Sequence, residues 1–266
     1  MVNEKMTLLV ATCDNYSDVW EDFFACKKIN WPDCPFETVL VTEEKEAKGF
    51  DARTFKGGKE NNWSTRMRLA LESIDTKYIC FLMEDFLLAD SIETEEIHKL
   101  INLMERDKLR YCKLCEVGVI KTAHYQCYNY LRVIPENLRY GISLMAAIWD
   151  REFFLEKLGT GDYDPWQFEA ERNKEAQQGS NQIVGLFDER DILHICQMVV
   201  QGKILPDAIR MMKKRGYIIR DQERAILSFR EDLMYKTKVR VARVAKKLPF
   251  LKAIAKKMGY QVRGDK

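Results

Sequence analysis

Apolar residues in the first ninety positions fall into short runs separated by polar stretches, and the runs alternate between two spacings. Residues 6–12 form a leucine and β-branched run that ends at Cys13-Asp14-Asn15, which predicts a buried strand delivering a polar loop. Residues 18–28 place Val19, Phe23 and Cys26 at helical spacing, with the acids between 14 and 18 available as caps. Trp31-Pro32-Asp33 reads as a turn and residues 37–42 as a second strand. Residues 43–62 are polar, contain Gly57-Gly58 and predict a loop. Residues 64–74 predict a helix with Met67, Leu69, Leu71 and Ile74 as its apolar positions. Residues 78–83 are wholly apolar, too short for a buried helix, and stop at Glu84-Asp85.

Further on, the spacing predicts a helix over 94–106, strands over 111–117 and 143–149, and a helix over 150–158. A polar, aromatic loop over 162–171 leads into another helix. Strand, helix, strand, helix, strand in the first ninety residues is the pattern of an α/β sheet with crossover connections. Ligands of such sheets bind beyond the carboxyl ends of the strands. Asp14 and the Glu84-Asp85 pair both fall at such ends.

Charge divides the chain. The net charge is +2, yet residues 234–266 hold 11 Lys or Arg and one acidic residue, while the 233 before them hold 32 basic and 40 acidic residues. A mildly acidic domain over 1–230 therefore carries a strongly basic tail over 231–266. With 46% hydrophobic and 32% charged residues the composition is that of a globular protein. The apolar run near the start is too short for a signal peptide, and no stretch approaches the ~20 residues of a spanning helix, so a cytoplasmic location is expected. The eight cysteines lack the rhythm of a secreted domain and several sit inside apolar runs, which reads as reduced, buried thiols. Cys112, Cys115, His124 and Cys127 are spaced too tightly for the usual zinc pairs, and Cys112 and Cys115 fall on opposite faces of the expected strand. Gly57-Gly58-Lys59 has no Walker pattern around it.

The acidic pair is the strongest chemical signal. A nucleotide-sugar enzyme needs carboxylates at a strand end to hold a divalent cation on the diphosphate, or the ribose. The plainer reading is that the pair caps the next element or sits in water.

Three motifs in order carry a resemblance. Asn62-Trp63-Ser64-Thr65-Arg66, then Glu84-Asp85-Phe86-Leu87-Leu88, then Pro165-Trp166-Gln167-Phe168-Glu169 resemble the ordered motifs of GT-A-type, family-2-like glycosyltransferases of bacterial surface-polysaccharide loci. The resemblance covers roughly residues 6–205. It implies a GT-A-like, Rossmann-like mixed sheet flanked by helices. It also implies that Thr12 and Asp14 hold the donor's uracil or ribose, and that Asn62, Trp63 and Arg66 line the nucleotide-diphosphate site. Glu84 and Asp85 stand where the Asp-x-Asp motif belongs, with Asp85 as the ligand of a Mn or Mg ion. Phe86 replaces the final aspartate, so Arg66 and Lys203 are alternatives to the metal as diphosphate cations. Glu169 is the expected general base of an inverting transfer, with Trp166 and Phe168 as acceptor-binding aromatics. The bland alternatives are a first-turn helix acid for Glu169 and a core position for Trp166.

In the tail, Val241, Val244, Ala245 and Leu248 fall at i, i+3, i+4 and i+7, and Leu251, Ile254, Ala255 and Met258 repeat that spacing after Pro249. This predicts a basic amphipathic helix broken at Pro249, suited to an anionic membrane surface. Packing on the acidic body or on another subunit is the second reading. Nucleic-acid binding lacks aromatic interleaving and a reader motif. The sequence as a whole points to transfer of a sugar from a nucleotide diphosphate to a hydroxyl of a lipid-linked saccharide, at the inner face of a membrane. The rivals are a sugar nucleotidyltransferase, whose Gly- and Lys-bearing first loop is missing here, and a non-catalytic membrane-recruited scaffold.

Overall fold

The computed structural model describes residues 5–114, 121–220 and 224–245. In chain order the elements are β1 (Met6–Ala11), a 3-10 turn (Asp14–Val19), α1 (Trp20–Asn30), β2 (Thr38–Thr42), β3 (Arg53–Lys56), α2 (Trp63–Glu72), β4 (Tyr78–Met83), β5 (Phe86–Leu88), α3 (Thr94–Arg106) and β6 (Tyr111–Lys113). There follow β7 (His124–Tyr125), β8 (Tyr128–Pro135), β9 (Ala147–Asp150), α4 (Arg151–Leu158), α5 (Pro165–Gln178), β10 (Ile183–Asp188), β11 (Ile195–Gln197), β12 (Val199–Val200), β13 (Lys203–Ile204), α6 (Pro206–Lys214) and α7 (Phe229–Ala245).

Among the described residues, nine strands form one mixed sheet in the order β3-β2-β1-β4-β9-β6-β10-β8-β7. The first four are parallel, with Leu8 opposite both Thr38 and Cys80. β9 runs antiparallel to both β4 and β6, and β8 antiparallel to β10. This is the mixed sheet flanked by helices that the GT-A resemblance implies.

Side chains alternate across the strands, so each of the central strands feeds two cores. Leu8, Val10, Cys80 and Leu82 pack with Phe23 and Cys26 of α1 and with Ile97, Leu100 and Ile101 of α3. Leu9, Ala11, Val39, Ile79 and Phe81 face the other way, against Met67 of α2, Phe153 and Phe154 of α4, and Phe168 of α5. Because both faces are covered, β1, β2 and most of β4 are buried throughout, which is why they read as unbroken apolar runs.

The ends of α4 and α5 are set by their first side chains. Asp150 accepts from Phe153 N (3.0 Å). Asp164 and Gln167 form a reciprocal capping box ahead of Pro165.

Three expectations change. The loop expected over 162–171 is already helix from Pro165 on, because the Asp164 cap and Pro165 start α5 there. Part of the loop expected over 43–62 is a strand: β3 pairs in parallel with β2, at the sheet's edge. Its half-exposed Arg-Thr-Phe-Lys sequence lacks the apolar run of an inner strand. The strand expected over 143–149 is β9, displaced toward Asp150. The strand expected over 111–117 is described as far as Leu114, with residues 115–120 outside the described residues. So are residues 246–266, which hold Pro249 and much of the expected amphipathic stripe. α7 begins beside the boundary expected at residue 230.

Candidate active site

β1 and β4 are adjacent and parallel, and their chain connections leave to opposite sides, since β2 and β3 lie beyond β1 while β9 lies beyond β4. This reversal makes the crevice past their carboxyl ends the preferred ligand position of an open α/β sheet. The last register pair is Ala11 with Met83, so Thr12 and Glu84 are the first residues beyond the sheet on either side.

Glu84 and Asp85 are 8% and 6% exposed. Directly after them β5 pairs with β11, Phe86 opposite Gln197, which draws residues 197–199 alongside the pair. Met198 N donates to Asp85 O (2.8 Å) and Val199 N to Asp85 Oδ2 (3.3 Å). Burial, then the neighbouring Asp85 charge, pushes the Glu84 carboxyl up to about 8. Burial also raises Asp85, to about 6, against the hydrogen bonds from Val199 and the Gln197 side chain. Two adjacent carboxyls are thus held where negative charge is poorly compensated.

The turn after β1 is tightly bound. Thr12 Oγ1 accepts from Trp20 Nε1 (2.9 Å). The Asp14 carboxylate accepts from three successive amides, those of Glu43, Glu44 and Lys45, at 3.1–3.3 Å. Asp14 therefore ties the loop after β2 to the loop after β1.

Arg66 on α2 is buried. Its Nη1 donates to Asn61 O (2.6 Å) and lies 3.4 Å from Glu43, and its buried Nε has no hydrogen-bond partner among the described residues. Gly57 makes this possible, because a Cβ there would stand 2.6 Å from Arg66 Cγ. The charges of Arg66, Glu43 and Glu84 all act on Cys13, whose thiol is raised chiefly by burial, so these groups share one neighbourhood.

The first and third motifs are joined to one another. Asn62 donates to Asp162 through its backbone N (2.9 Å) and Nδ2 (3.0 Å). Ser64 exchanges hydrogen bonds with Tyr163 and donates through its hydroxyl to Gly161 O. Trp63 and Phe168 are both buried in the core beneath this seam. Trp166 is 61% exposed. Glu169 is half-buried, and its Oε1 accepts from Leu144 N (3.2 Å), which holds it toward the loop before β9. Lys203 pairs with Glu231 at 2.5 Å.

Arg224 is the functional candidate that the sequence reading missed. Its charge acts on both Glu84 and Asp85. No local pattern around it announces that. No group of three or more His, Cys, Asp or Glu side chains able to hold a metal occurs among the described residues.

No protein-family model matches the sequence, and no curated protein matches it. Solved structures do overlap with it. S. aureus TarS 1-349 is 12% identical over 70% of this chain and 60% of that one, with a TM-score of 0.42. The bifunctional IspDF from Campylobacter jejuni is 14% identical over 73% and 52%, with a TM-score of 0.38. A cytidylyltransferase from Leptospira borgpetersenii is 15% identical over 85% and 100%, with a TM-score of 0.47. The chain spans little more than half the length of the first two. Likeness at this level assigns no activity.

Proposed function

We propose that this protein is a nucleotide-sugar-dependent glycosyltransferase that moves a sugar from a nucleotide diphosphate to a saccharide hydroxyl. The observation that carries the reading is the buried Glu84-Asp85 pair at the β1–β4 crevice, opposite the turn that follows β1. A buried, under-compensated pair of acids is costly to a folded chain unless it serves a cationic partner. The buried Nε of Arg66, which has no partner among the described residues, supports the same reading, since a phosphate oxygen is its natural acceptor.

The pair fits a hard divalent cation such as Mn or Mg, because such ions are commonly held by one or two carboxylates together with the substrate's phosphates. Glu84 and Asp85 would hold it, and its charge would offset that of the departing diphosphate. Arg66 would meet a phosphate from α2. Thr12 and Asp14 would shape the nucleoside end of the crevice, Asp14 by fixing the two loops. Glu169 would take the proton of the attacking hydroxyl, with exposed Trp166 as a surface for the acceptor sugar. Phe168 would contribute by holding α5 in place from within the core. Lys203 would act on phosphate only after leaving Glu231.

α7 supports attachment at an anionic membrane surface. Phe229 is 84% exposed, and Leu233, one helical turn on, is exposed as well. Phe229 lies just before the basic tail and Leu233 at its start. Lys236 meanwhile pairs with Asp207 of α6 and with Asp232, each at 2.7 Å, so the start of α7 rests on the body. Among the described residues no helix is long and apolar enough to cross a membrane. We propose that the enzyme works at the inner membrane face on a lipid-linked acceptor.

A panel of nucleotide sugars tests the reading, with released nucleotide diphosphate as readout. Turnover of one donor, lost in Asp85→Asn, is the expected result. Thermal stabilisation by a nucleoside triphosphate, with pyrophosphate release from triphosphate plus sugar phosphate, would instead identify a nucleotidyltransferase. Absence of any nucleotide response would leave only the scaffold.

A further inference from the structure

Arg224 brings a late part of the chain back to the crevice. Ile204 N donates to Ala225 O (3.0 Å) and Leu227 N donates to Ile204 O (2.9 Å), so residues 225–227 run beside β13. That pairing fixes the backbone next to Arg224. The guanidinium then meets two separate turns. On the turn after β1 it donates to both carboxylate oxygens of Asp18 (2.6 and 2.8 Å) and to Asn15 O (2.8 Å), and it lies 4.0 Å from the centroid of the Tyr16 ring. On the turn between β12 and β13 it donates to Gly202 O (3.3 Å). Gln201 and Gly202 both have positive φ there, as a tight two-residue hairpin turn requires.

We propose that Arg224 is a positioning residue of the donor crevice, clamping the turn after β1 to the β12–β13 turn so that the crevice is shaped before the nucleotide arrives. The inference rests on the donor-site reading above. Both clamped turns belong to segments that reach the acidic pair. Val199, which opens β12 two residues before the Gln201-Gly202 turn, donates to Asp85, and the Tyr16 hydroxyl feels the charges of Glu84 and Asp85. The side chain suits the task. Arg224 is 12% exposed, and a planar fork with five donors can serve a carboxylate, two carbonyls and a ring face at once. A lysine has three donors and no planar face, so it would keep the charge and lose the geometry. Pre-shaping of this kind acts on binding, because disorder in a site must be removed when ligand binds.

The test uses the full chain, with UDP, GDP and CMP titrated calorimetrically in the presence of Mg. Wild type should bind at least one of them. If it binds none, the donor-site reading fails and the clamp falls with it. For the nucleotide that binds, Arg224→Ala should weaken affinity about ten-fold or more, and Arg224→Lys should recover only part of the loss, as misplacement of a binding group predicts. Free guanidinium at millimolar concentration should restore affinity to Arg224→Ala and leave wild type unchanged. A purely structural residue would not show that response below its melting temperature. Asp18→Asn, which leaves Arg224 in place, should weaken binding in the same direction. Arg220→Ala, which removes an exposed arginine paired with Glu21, should bind as wild type. Wild-type nucleotide affinity in Arg224→Ala, or loss of affinity that guanidinium does not restore, overturns the proposal.

Discussion

Trp63 meets Phe168 edge to face, with ring centroids 5.6 Å apart and planes at 67°. One residue opens α2 and the other lies in the first turns of α5, so the two motifs that looked like separate ligand contacts are first of all a packing joint. Phe168 also lies against Trp149 and Phe154, and the seam from Asn62–Asp162 to Ser64–Tyr163 closes over it. The joint fixes the neighbouring Glu169 and Arg66 with respect to the sheet.

Phe168→Ala should therefore destabilise the fold by about 3–5 kcal/mol, the range for emptying a buried aromatic site. Trp166→Ala should change stability by no more than about 0.5 kcal/mol, as expected for an exposed position. Urea unfolding of both variants measures the contrast. An equal loss in the two would show that Phe168 is not a core residue.

The acidic pair predicts a pH signature. The carboxyls of Glu84 and Asp85 are raised from ordinary values of 4.5 and 3.8 to about 8 and about 6. Between those limits the folded chain holds protons that the unfolded chain has released. Their contribution to stability is therefore complete below the ordinary values and is lost as pH rises through about 6 and then about 8. Glu84→Gln removes the part of that loss that belongs to Glu84. Its melting temperature should exceed that of wild type at the alkaline end of a pH series, with the gap closing toward pH 5. A gap that is constant across the series would mean that Glu84 is not raised.

Divalent cations should act in the opposite sense on wild type. Mn or Mg should raise the melting temperature most at alkaline pH, where both acids are ionised, and should have no effect on the Glu84→Gln, Asp85→Asn double variant. Stabilisation of wild type and double variant alike would place the ion elsewhere.

Glu169→Gln should abolish transfer while leaving donor affinity unchanged. The fold should tolerate it, because the glutamine carbonyl can still accept from Leu144 N in place of Oε1. Turnover close to wild type would remove Glu169 from the role of base.

Removing residues 234–266 should release the protein from anionic vesicles and leave transfer to a soluble acceptor intact. Added salt should weaken vesicle binding of the full chain, as screening requires. Co-sedimentation of the truncated protein with the vesicles would assign the contact to another surface.

Local pattern made much of the scaffold legible. The helix expected over 94–106 is α3 to the residue, and the run over 78–83 is β4. The helix shows a clear one-faced period, and the strand is a short, wholly apolar run covered on both sides. β3, β8 and β10 escaped for a physical reason. β3 is an edge strand, β8 mixes buried and half-exposed positions, and β10 carries Gly185. A Cβ at Gly185 would lie 2.5 Å from Tyr111 O of β6, so that glycine marks a close approach visible only once the two strands are side by side.

The same division holds at the site. Sequence alone determined that Glu84 and Asp85 stand at the end of a buried strand, because the length and hydrophobicity of that strand are local properties. It also determined the joint appearance of the three motifs. Tertiary structure decided what each side chain does there. It put Phe168 and Trp63 into the core, engaged Asp14 with three backbone amides and Lys203 with Glu231, and brought Arg224 to the turn after β1. Those outcomes depend on non-local pairing, residues 225–227 beside β13 and β5 beside β11, and a charge's partner is set by whichever distant segment the fold brings within a few ångströms of it.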